Sequence, residues 1–384
     1  MSQRAARVLL VGGGHSHIEV LRRFARAPDA RIALTLVSPF ARTPYSGMLP
    51  GTIAGHYTAA EASIALAPLV QWAGARLVEG EVRELDLYTR TVLLANGVRE
   101  AFDFVSLDIG STPSMTVPGA SDFALGVKPV EAFLDAWDRI RADVIAGHVS
   151  TIAVVGGGAG GVEALLAMQY RLHQEASTAA PRFALVTDQA HVLAQHAPGA
   201  RARMGRILVE RGVVLHLDSA AINVEQGTVI VTHGRRIAAD RIIWATGGAP
   251  AAWLAGSGLP CDARGFVAVD AHLKSPAHPF VFAAGDCASQ IDTPRPKSGV
   301  YAVRQGPPLA ANLRRAANGL PLLEYRPQRQ ALALISTGNR HAIASRGPLA
   351  VEGAWAWRWK DHIDRKFMAR YVPPGDDALP LPLE

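Results

Sequence analysis

Two short glycine clusters are the residues whose spacing points most directly to chemistry. Gly156, Gly158 and Gly161 form a complete GxGxxG between an apolar run and a stretch with helical periodicity. There the first glycine allows a tight turn, the second lets a pyrophosphate approach the backbone, and the third lets helix and strand pack closely. The free N–H groups at the helix start can then hold phosphate. We therefore predict a dinucleotide site at this turn, rather than a glycine-rich turn without a ligand.

The earlier cluster, GGGHSH, keeps Gly12 and Gly14 but has His17 where the third glycine would stand. This difference predicts either a slightly wider gap between helix and strand or a His17 that points outward. We expect His15 and Ser16 to contribute backbone and side-chain hydrogen bonds at the phosphates. Two histidines without a cysteine pair nearby do not complete a zinc site, so we predict no metal.

Polar residues at strand ends extend both sites. The acid that usually binds ribose hydroxyls is replaced by Ser38 after the first cluster, whereas after the second Thr187 is followed by Asp188. Asp188 favours NADH over NADPH, because a carboxylate repels a ribose phosphate. A later apolar strand ends at Gly285-Asp286, where the carboxylate suits a polyol such as the ribityl chain of FAD. The alternative role for Asp286 is a helix N-cap.

The elements that must position these residues form a repeated pattern. Each glycine cluster is preceded by an apolar strand and followed by a helix and a second apolar strand, so a βαβ unit is written twice. This order predicts an α/β fold with two Rossmann-like, three-layer dinucleotide-binding domains, the second inserted in the first. The predicted bounds are 1–118 and 256–325 for the first domain, 119–255 for the second, and 326–384 for a small C-terminal segment with a disordered, proline-rich tail.

Composition narrows the class of protein. A chain of 384 residues suggests two or three domains, and its net charge of +6 is spread without the basic block of a nucleic-acid-binding arm. With only Cys261 and Cys287, a disulfide framework is excluded and a reducing compartment fits. The chain has no run of about 18 apolar residues that would form a membrane-spanning helix. We therefore expect a cytoplasmic protein.

The C-terminal segment carries Trp355, Trp357 and Trp359, whose alternation predicts a strand or an extended face. The residues 360–371 then predict a helix with an apolar stripe and basic residues beside it. Such an element suits a peripheral contact with the inner face of a membrane. It equally suits core packing or a homodimer interface, and these alternatives stay open.

The chain resembles the pyridine nucleotide-disulfide oxidoreductase superfamily, and within it the type II NADH dehydrogenases and sulfide:quinone reductases. The matching stretches are VLLVGGGHSH, TPYSGMLPG, VVGGGAGGVE, IIWATGGAP, FVFAAGDCAS and YAVRQGPPLAANL, which span about residues 7–315. GGGHSH and WKDHIDRKFMARY also resemble a subgroup often fused ahead of selenide, water dikinase.

The resemblance implies FAD in the first domain, NAD(P)H as substrate in the second, and a quinone or similar small molecule as electron acceptor. It implies candidate catalytic roles for Glu163, near the nicotinamide, and for Tyr301 and Gln305, near the quinone. An acid at the position of Glu163 also stabilises the first turn of a helix without any catalytic role. The implied cofactor contacts are Gly12, Gly14, Ser38, Arg42, Val82, Gly110 and Asp286 for FAD, and Gly156, Gly158, Gly161 and Glu163 for NAD(P)H.

Two other functions stay open. Thiol–disulfide exchange needs two thiols within reach of each other, and Cys261 and Cys287 are far apart in sequence, which argues against that activity and against sulfide oxidation. The subgroup resemblance nevertheless keeps a sulfur or selenium compound oxidoreductase as an alternative. The other alternative is a non-enzymatic, redox-sensing flavoprotein that binds a partner through its tryptophan-rich end.

Overall fold

The computed structural model describes residues 4–176 and 180–375, and it contains two sheets of five parallel strands. The first sheet runs, in spatial order, through Val281–Ala283, Phe104–Leu107, Ala6–Val11, Ile32–Ser38 and Arg76–Glu79. The second runs through Leu125–Gly126, Arg241–Trp244, Thr151–Val155, Arg182–Val186 and Val214–His216. The strand after each glycine-cluster helix lies beside the strand before it, so the predicted α/β class with two Rossmann-like domains is confirmed.

The central strands are apolar because helices and loops cover both faces of each sheet. In Ala6–Val11 the last four residues are buried, and in Thr151–Val155 the same is true. A strand buried on both faces has no reason to alternate polar and apolar residues. This explains why VLLV and IAVV are continuous runs.

Helices pack on these sheets and connect their strands. The longer helices of the described residues are His15–Arg26, Val130–Ile145, Ala159–Glu175, Pro198–Glu210, Gly299–Ala317 and Ala354–Ala369. Shorter ones are Leu49–Ile53, Leu66–Trp72 and Ala120–Phe123, with 3-10 turns at Thr232–Gly234, Ala252–Gly256 and Gly285–Cys287.

Each domain also carries a smaller antiparallel sheet of three strands, and the C-terminal segment forms a third such sheet. The first domain carries Val82–Asp86, Thr91–Leu94 and Arg99–Ala101, the second carries Ala221–Glu225, Thr228–Val231 and Arg236–Ala238, and the C-terminal segment forms Ala333–Thr337, Asn339–Arg346 and Leu349–Gly353. Two antiparallel strand pairs join Arg42–Pro44 to Ser63–Ala65 and Thr112–Pro113 to Gly248–Ala249. A parallel pair joins Val267–Val269 to Ala288–Gln290.

The chain leaves the first sheet and later returns to it. After Phe104–Leu107 it enters the second sheet at Leu125–Gly126, and Val281–Ala283 then pairs in parallel with Phe104–Leu107. The second sheet is thus inserted between two parts of the first. The residue bounds that we assign to the domains remain a prediction.

The tryptophans of the C-terminal segment lie on the helix Ala354–Ala369, so the prediction of a strand for them was wrong. Trp355 and Trp359 are four residues apart and stack on the exposed side, with ring centroids 6.3 Å apart. Trp357 is 9% exposed and packs beside Ala342 and Ala344. The helix explains the spacing, because i and i+4 share a face whereas i+2 points elsewhere.

The same helix ends in the core of the first domain, where Phe367 and Tyr371 are buried. Within residues 4–375, the undescribed 177–179 apart, we find no helix both long and apolar enough to cross a membrane. The predicted disordered tail falls on 376–384, outside the described residues.

Candidate functional site

A cavity of about 1730 Å³, here called the large cavity, brings together three parts of the chain. They are residues 12–15 of the first glycine turn (12–17), residues 159, 160 and 163 at the second glycine turn (156–161) and the helix that continues it, and the C-terminal helix, Ala354–Ala369. The glycines Gly156, Gly158 and Gly161 are not among the described lining residues. Many predicted site residues line it: Gly12, Gly14, His15, Ser38, Arg42, Val82, Gly110, Glu163, Asp286 and Tyr301.

The first glycine turn is tightly folded against the neighbouring strand end. Gly12 has φ +92°, and a Cβ there would overlap the carbonyl oxygen of Asp108. Its N–H donates to Val37 O at 2.8 Å, and the Thr43 hydroxyl donates to Gly13 O at 2.6 Å. The left-handed conformation and the close approach both require glycine at position 12.

The carboxyl group of Asp108 occupies the N-terminus of the helix His15–Arg26. Its Oδ2 accepts the N–H groups of Ser16 at 2.8 Å and of His17 at 3.2 Å, and Asp108 is only 3% exposed. Burial raises the pKa of this carboxyl to about 7, although the two N–H donors act to lower it. Asp108 was not among the residues predicted from the sequence, although its position as an acid directly after an apolar strand and just before Gly110 could have indicated it.

His17 does not point outward, and that alternative was wrong. Its ring is fully buried, with Nδ1 donating to Gly12 O at 2.7 Å and Nε2 lying 2.8 Å from the Ser106 hydroxyl. Burial lowers the pKa of His17 to about 4, so the ring is neutral at physiological pH. The Ser16 hydroxyl donates to Ala302 O at 2.7 Å, which ties its side chain to the helix Gly299–Ala317 rather than to a phosphate.

His15 points the other way, into the large cavity. Its ring centroid lies 5.5 Å from that of Tyr45 and 6.1 Å from that of Phe367. Its Nε2 is buried and has no hydrogen-bond partner among the described residues. Burial lowers the pKa of His15 to about 4. A buried, unpartnered ring nitrogen of this kind can bind a polar ligand atom. Across the described residues, no three His, Cys, Asp or Glu side chains are grouped to hold a metal ion.

The Gly285-Asp286 turn lies against Asp108. Gly285 has φ +68°, and a Cβ there would overlap the Asp108 carboxyl group. Asp286 Oδ2 lies 3.1 Å from Lys128 Nζ and faces the large cavity. Gln305 Oε1 accepts the Gly285 N–H at 2.7 Å, so Gln305 supports this turn. Gln305 lines a small neighbouring cavity of about 20 Å³, and it is not among the described residues that line the large cavity. Tyr301 lines both cavities.

The second glycine turn has the same geometry around a different strand end. Gly156 has φ +127°, and a Cβ there would overlap the carbonyl oxygen of Ala245. A Cβ at Gly161 would overlap Gly156 O, whereas a Cβ at Gly158 would meet no atom of the described residues within 4 Å. Asp188 is exposed just beyond the buried Thr187, as expected of a strand end.

Glu163 lies where the helix of the second turn meets the C-terminal segment. Its Oε1 accepts the Ser336 N–H at 2.7 Å. Burial raises the pKa of Glu163 to about 7, and the charge of nearby Lys360 opposes that rise. Lys360 Nζ pairs with Asp364 at 2.5 Å and also donates to Gly47 O. An acid poised near neutrality beside a cavity is typical of a proton-transfer group.

The other predicted contacts line the adjoining part of the large cavity. The Ser38 hydroxyl donates to Phe40 O at 2.9 Å, and the Arg42 guanidinium donates to Ser63 O at 2.9 Å. Val82 is 6% exposed, and Gly110 has φ +70°. These four residues are therefore brought together with the first glycine turn.

Neither cysteine is among the described residues that line the large cavity. Cys287 is fully buried, donates to Ala284 O at 3.2 Å, and has a pKa raised by burial to about 12. Cys261 donates to Leu259 O at 3.4 Å. A thiol with a raised pKa is a poor nucleophile, which disfavours thiol chemistry at this site.

Comparison with known proteins gives a consistent result. The family model described as pyridine nucleotide-disulphide oxidoreductase matches residues 6–306. The chain is 23% identical over 373 residues to the NADH dehydrogenase-like protein YutJ of Bacillus subtilis (strain 168), covering 93% of this chain and 99% of that protein. It is 24% identical over 414 residues to the alternative NAD(P)H-ubiquinone oxidoreductase C1, chloroplastic/mitochondrial, of Arabidopsis thaliana, covering 97% and 78%.

Among solved structures, the sulfide:quinone oxidoreductase of Aquifex aeolicus superposes with a TM-score of 0.81 at 17% identity. The superposition covers 96% of this chain and 91% of that one. At this identity the likeness shows a shared fold.

Proposed function

The chain belongs to the pyridine nucleotide-disulphide oxidoreductase family, and from that premise we propose that it oxidises NAD(P)H with FAD as cofactor and reduces a quinone-like acceptor. The family match and the similarity to NADH dehydrogenase-like proteins confirm the predicted family and the predicted class, an FAD-dependent NAD(P)H oxidoreductase. The observation that carries the finer proposal is the large cavity, which both glycine-turn helices and the C-terminal helix line together. Cofactor, nucleotide and acceptor would meet there.

The residues of the first domain fit FAD. The backbone of Gly12 and Gly13 is packed so closely that no Cβ has room, and the unpartnered Nε2 of His15 faces the adjoining space. We assign Gly12, Gly14 and the His15 backbone to the pyrophosphate and Asp286 to the ribityl chain. Bound FAD would supply the two-electron chemistry that links nucleotide and acceptor. The remaining proposed contacts are Ser38, Arg42, Val82 and Gly110.

The second glycine turn is the proposed NAD(P)H site. The space in front of Gly158 is open, and Gly160 lines the large cavity beside Glu163. A nucleotide whose pyrophosphate lies on this helix start would place its ribose hydroxyls towards Asp188 and its nicotinamide towards Glu163. The carboxylate of Asp188 favours NADH, since it would repel a 2′-phosphate.

The acceptor would enter beside Tyr301 and the C-terminal helix. Ile363 and Phe367 supply an apolar wall, and Lys360 lies on the same side. Reduction of a quinone takes up protons as well as electrons. Glu163, with a pKa near 7, can hold one of those protons at its carboxyl group, and Lys360 beside it stabilises the ionised form. Similarity to the alternative NAD(P)H-ubiquinone oxidoreductase C1 of Arabidopsis thaliana supports this choice of acceptor.

Titration of the purified protein with NADH in the absence of oxygen tests the proposal directly. We expect a yellow protein whose visible flavin absorption bleaches promptly and returns when a short-chain quinone is added. A bound flavin that NADH leaves oxidised would refute NADH as donor. Protein that neither contains nor binds flavin would refute the proposal as a whole.

Gly158→Trp tests where the nucleotide binds. The Cβ has room, so the fold should survive, and the indole would fill the space in front of the helix start. We expect flavin content to be unchanged while the KM for NADH rises at least about a hundredfold, a loss of about 3 kcal/mol of binding. Gly205→Trp is the matched control, because Gly205 lies on the helix Pro198–Glu210 and is also open. Normal NADH turnover in Gly158→Trp would contradict the assignment.

A further inference from the structure

The two glycine turns are equivalent in geometry, and two of the differences in residue type between them bear on their chemistry. A Cβ on Gly12 would overlap Asp108 O, and a Cβ on Gly156 would overlap Ala245 O in the same way. Asp108 and Ala245 therefore take the same place, each following the strand that pairs with the strand before the turn. The second difference is His17 in place of a third glycine.

The consequence is that the first turn holds an acid where the second holds none. Asp108 Oδ2 accepts the N–H groups of Ser16 and His17, which are among the orphan donors of the helix His15–Arg26. The Gly14 N–H is also engaged, by Asp108 O at 3.1 Å. A phosphate that binds here must therefore lie beside a carboxyl group, not beside free N–H donors alone. At the second turn, alanine offers no side-chain acceptor.

The carboxyl group is enclosed on the sides that face the chain. Gly14 and Gly285 both lie so close that a Cβ on either would overlap it. Any larger residue at these positions would displace Asp108. Glycine at positions 14 and 285 is therefore required to make room for the carboxyl group. Asp108 also lines the large cavity, which is the side from which a ligand would approach.

From this geometry we infer that Asp108 is a protonation-dependent gate for FAD: the neutral acid donates a hydrogen bond to the pyrophosphate, and the ionised acid repels it. The inference rests on the FAD site proposed above. Oδ2 keeps its two N–H donors in both states, and the proton taken up from solvent is carried by the other oxygen, Oδ1. One proton is bound for each FAD that binds to the ionised form.

The charges around Asp108 give the direction of the effect. Among the residues that the structure describes, no cationic side chain contacts the carboxyl group directly, and burial with the nearby charge of Asp286 raises its pKa to about 7. A bound pyrophosphate would raise that pKa further, so FAD should bind more weakly as pH increases above about 7, by up to about tenfold per pH unit. Other titratable groups near Asp108 include His15 and His17 at the start of the first helix, Cys287 of the 285–287 turn, and Lys128, which pairs with Asp286. The first helix also carries Glu19, which pairs with Arg22 and Arg23.

The test measures FAD release from the holoprotein rather than turnover. A dilution series from about pH 6 to about pH 8.5, followed by the fluorescence of free FAD, gives the dissociation constant at each pH. We expect wild-type protein to release FAD more readily above about pH 7, and Asp108→Asn to hold FAD with little pH dependence. The asparagine amide donates a hydrogen bond as the neutral acid does, but it does not ionise in this range.

Two further variants make the outcome decisive. Asp108→Ala introduces the residue type that the second turn has in this place, Ala245, and should also lose the pH dependence. This variant keeps the inference testable if Asp108→Asn does not fold. Glu131→Gln is the matched control, because Glu131 is another cavity-lining acid with a pKa raised by burial, and it should keep the wild-type slope. A wild-type FAD affinity that is flat over this range, or one equally steep in Asp108→Asn, would overturn the gate while leaving FAD binding intact. Absence of FAD at every pH would overturn both this inference and the proposed function.

Discussion

The His17 ring fills the place of a glycine, and it must stay neutral to do so. Its folded pKa of about 4 lies below the value of about 6.5 expected in the unfolded chain. His17 therefore stabilises the fold fully above about pH 6.5, and this contribution is lost as pH falls towards about 4. Asp108 and Glu163 act in the opposite sense, because their pKa values are raised and they favour the fold as pH falls.

Because these effects overlap, the contribution of His17 is isolated by comparing wild type with a variant that lacks the imidazole. His17→Gln can still donate to Gly12 O but does not titrate. Relative to wild type, we expect the variant to gain about 2 kcal/mol in unfolding free energy between about pH 7 and about pH 4.5. Urea unfolding at each pH measures this gain, and the exposed His191→Gln is the control. A constant difference between His17→Gln and wild type would show that His17 is not held neutral.

Glu163 should govern how acceptor reduction depends on pH. If its protonated form supplies a proton, the rate falls as pH rises through about 7. We expect Glu163→Gln to retain flavin, to lose at least about a hundredfold in quinone reduction, and to lack that inflection. Steady-state rates against pH measure both effects, with Glu81→Gln as a cavity-lining control. An inflection unchanged in Glu163→Gln would assign it to another group.

Which residues could be predicted depends on how local their constraints are. The glycines were predictable because their role follows from a spacing of a few residues between strand and helix. Asp108 was not predictable, because its carboxyl group accepts hydrogen bonds from the N–H groups of Ser16 and His17, which lie 92 and 91 positions earlier in the chain. Gln305 was placed near the acceptor by resemblance, whereas the structure engages its amide oxygen with the Gly285 N–H.

Among the elements, the C-terminal helix shows how periodicity can mislead. Three tryptophans at every second position fit a strand by alternation, yet only Trp357 is buried and the other two share an exposed face. Residues 360–371 were predicted as a helix correctly because their apolar residues recur every four positions. Trp357 is buried because it packs on strand Asn339–Arg346, and the alternation of the tryptophans in the sequence does not reveal that contact.

The two kinds of tryptophan should respond differently to truncation. Trp357→Ala leaves a void against Ala342 and Ala344 and should lower the free energy of unfolding by about 3 kcal/mol. Trp359, which is 43% exposed on the same helix, serves as the matched control, and Trp359→Ala should cost about 1 kcal/mol or less. Thermal or urea unfolding compares the two variants. Equal losses of unfolding free energy would contradict the packing of Trp357 against Ala342 and Ala344.

Over the whole molecule, the C-terminal segment joins the two domains. Ser336 donates its N–H to Glu163 of the second domain, while Phe367 and Tyr371 lie in the hydrophobic core of the first domain. The Tyr371 hydroxyl donates to Glu19 Oε2 at 3.2 Å, and the Phe367 ring stacks on Tyr45 with centroids 4.3 Å apart. The wall of the large cavity thus depends on contacts with both domains.

Phe367→Ala should loosen that wall. Loss of a buried ring at the junction is expected to weaken helix docking by about 3 kcal/mol, so trypsin should cut within the helix at least about tenfold faster. Limited proteolysis followed by mass analysis of the fragments measures the rate. The exposed Val372→Ala is the control, and equal cleavage rates for the two variants would contradict a role for Phe367 in holding the helix.

The return of strand Val281–Ala283 to the first sheet also sets an order of events during synthesis. A ribosome completes every strand of the second sheet before it makes this one, because that sheet ends with Arg241–Trp244. The second domain can therefore close while the first still lacks an edge strand and the Gly285-Asp286 turn. If the sites lie where we propose, a nascent chain would complete its nucleotide site before its flavin site.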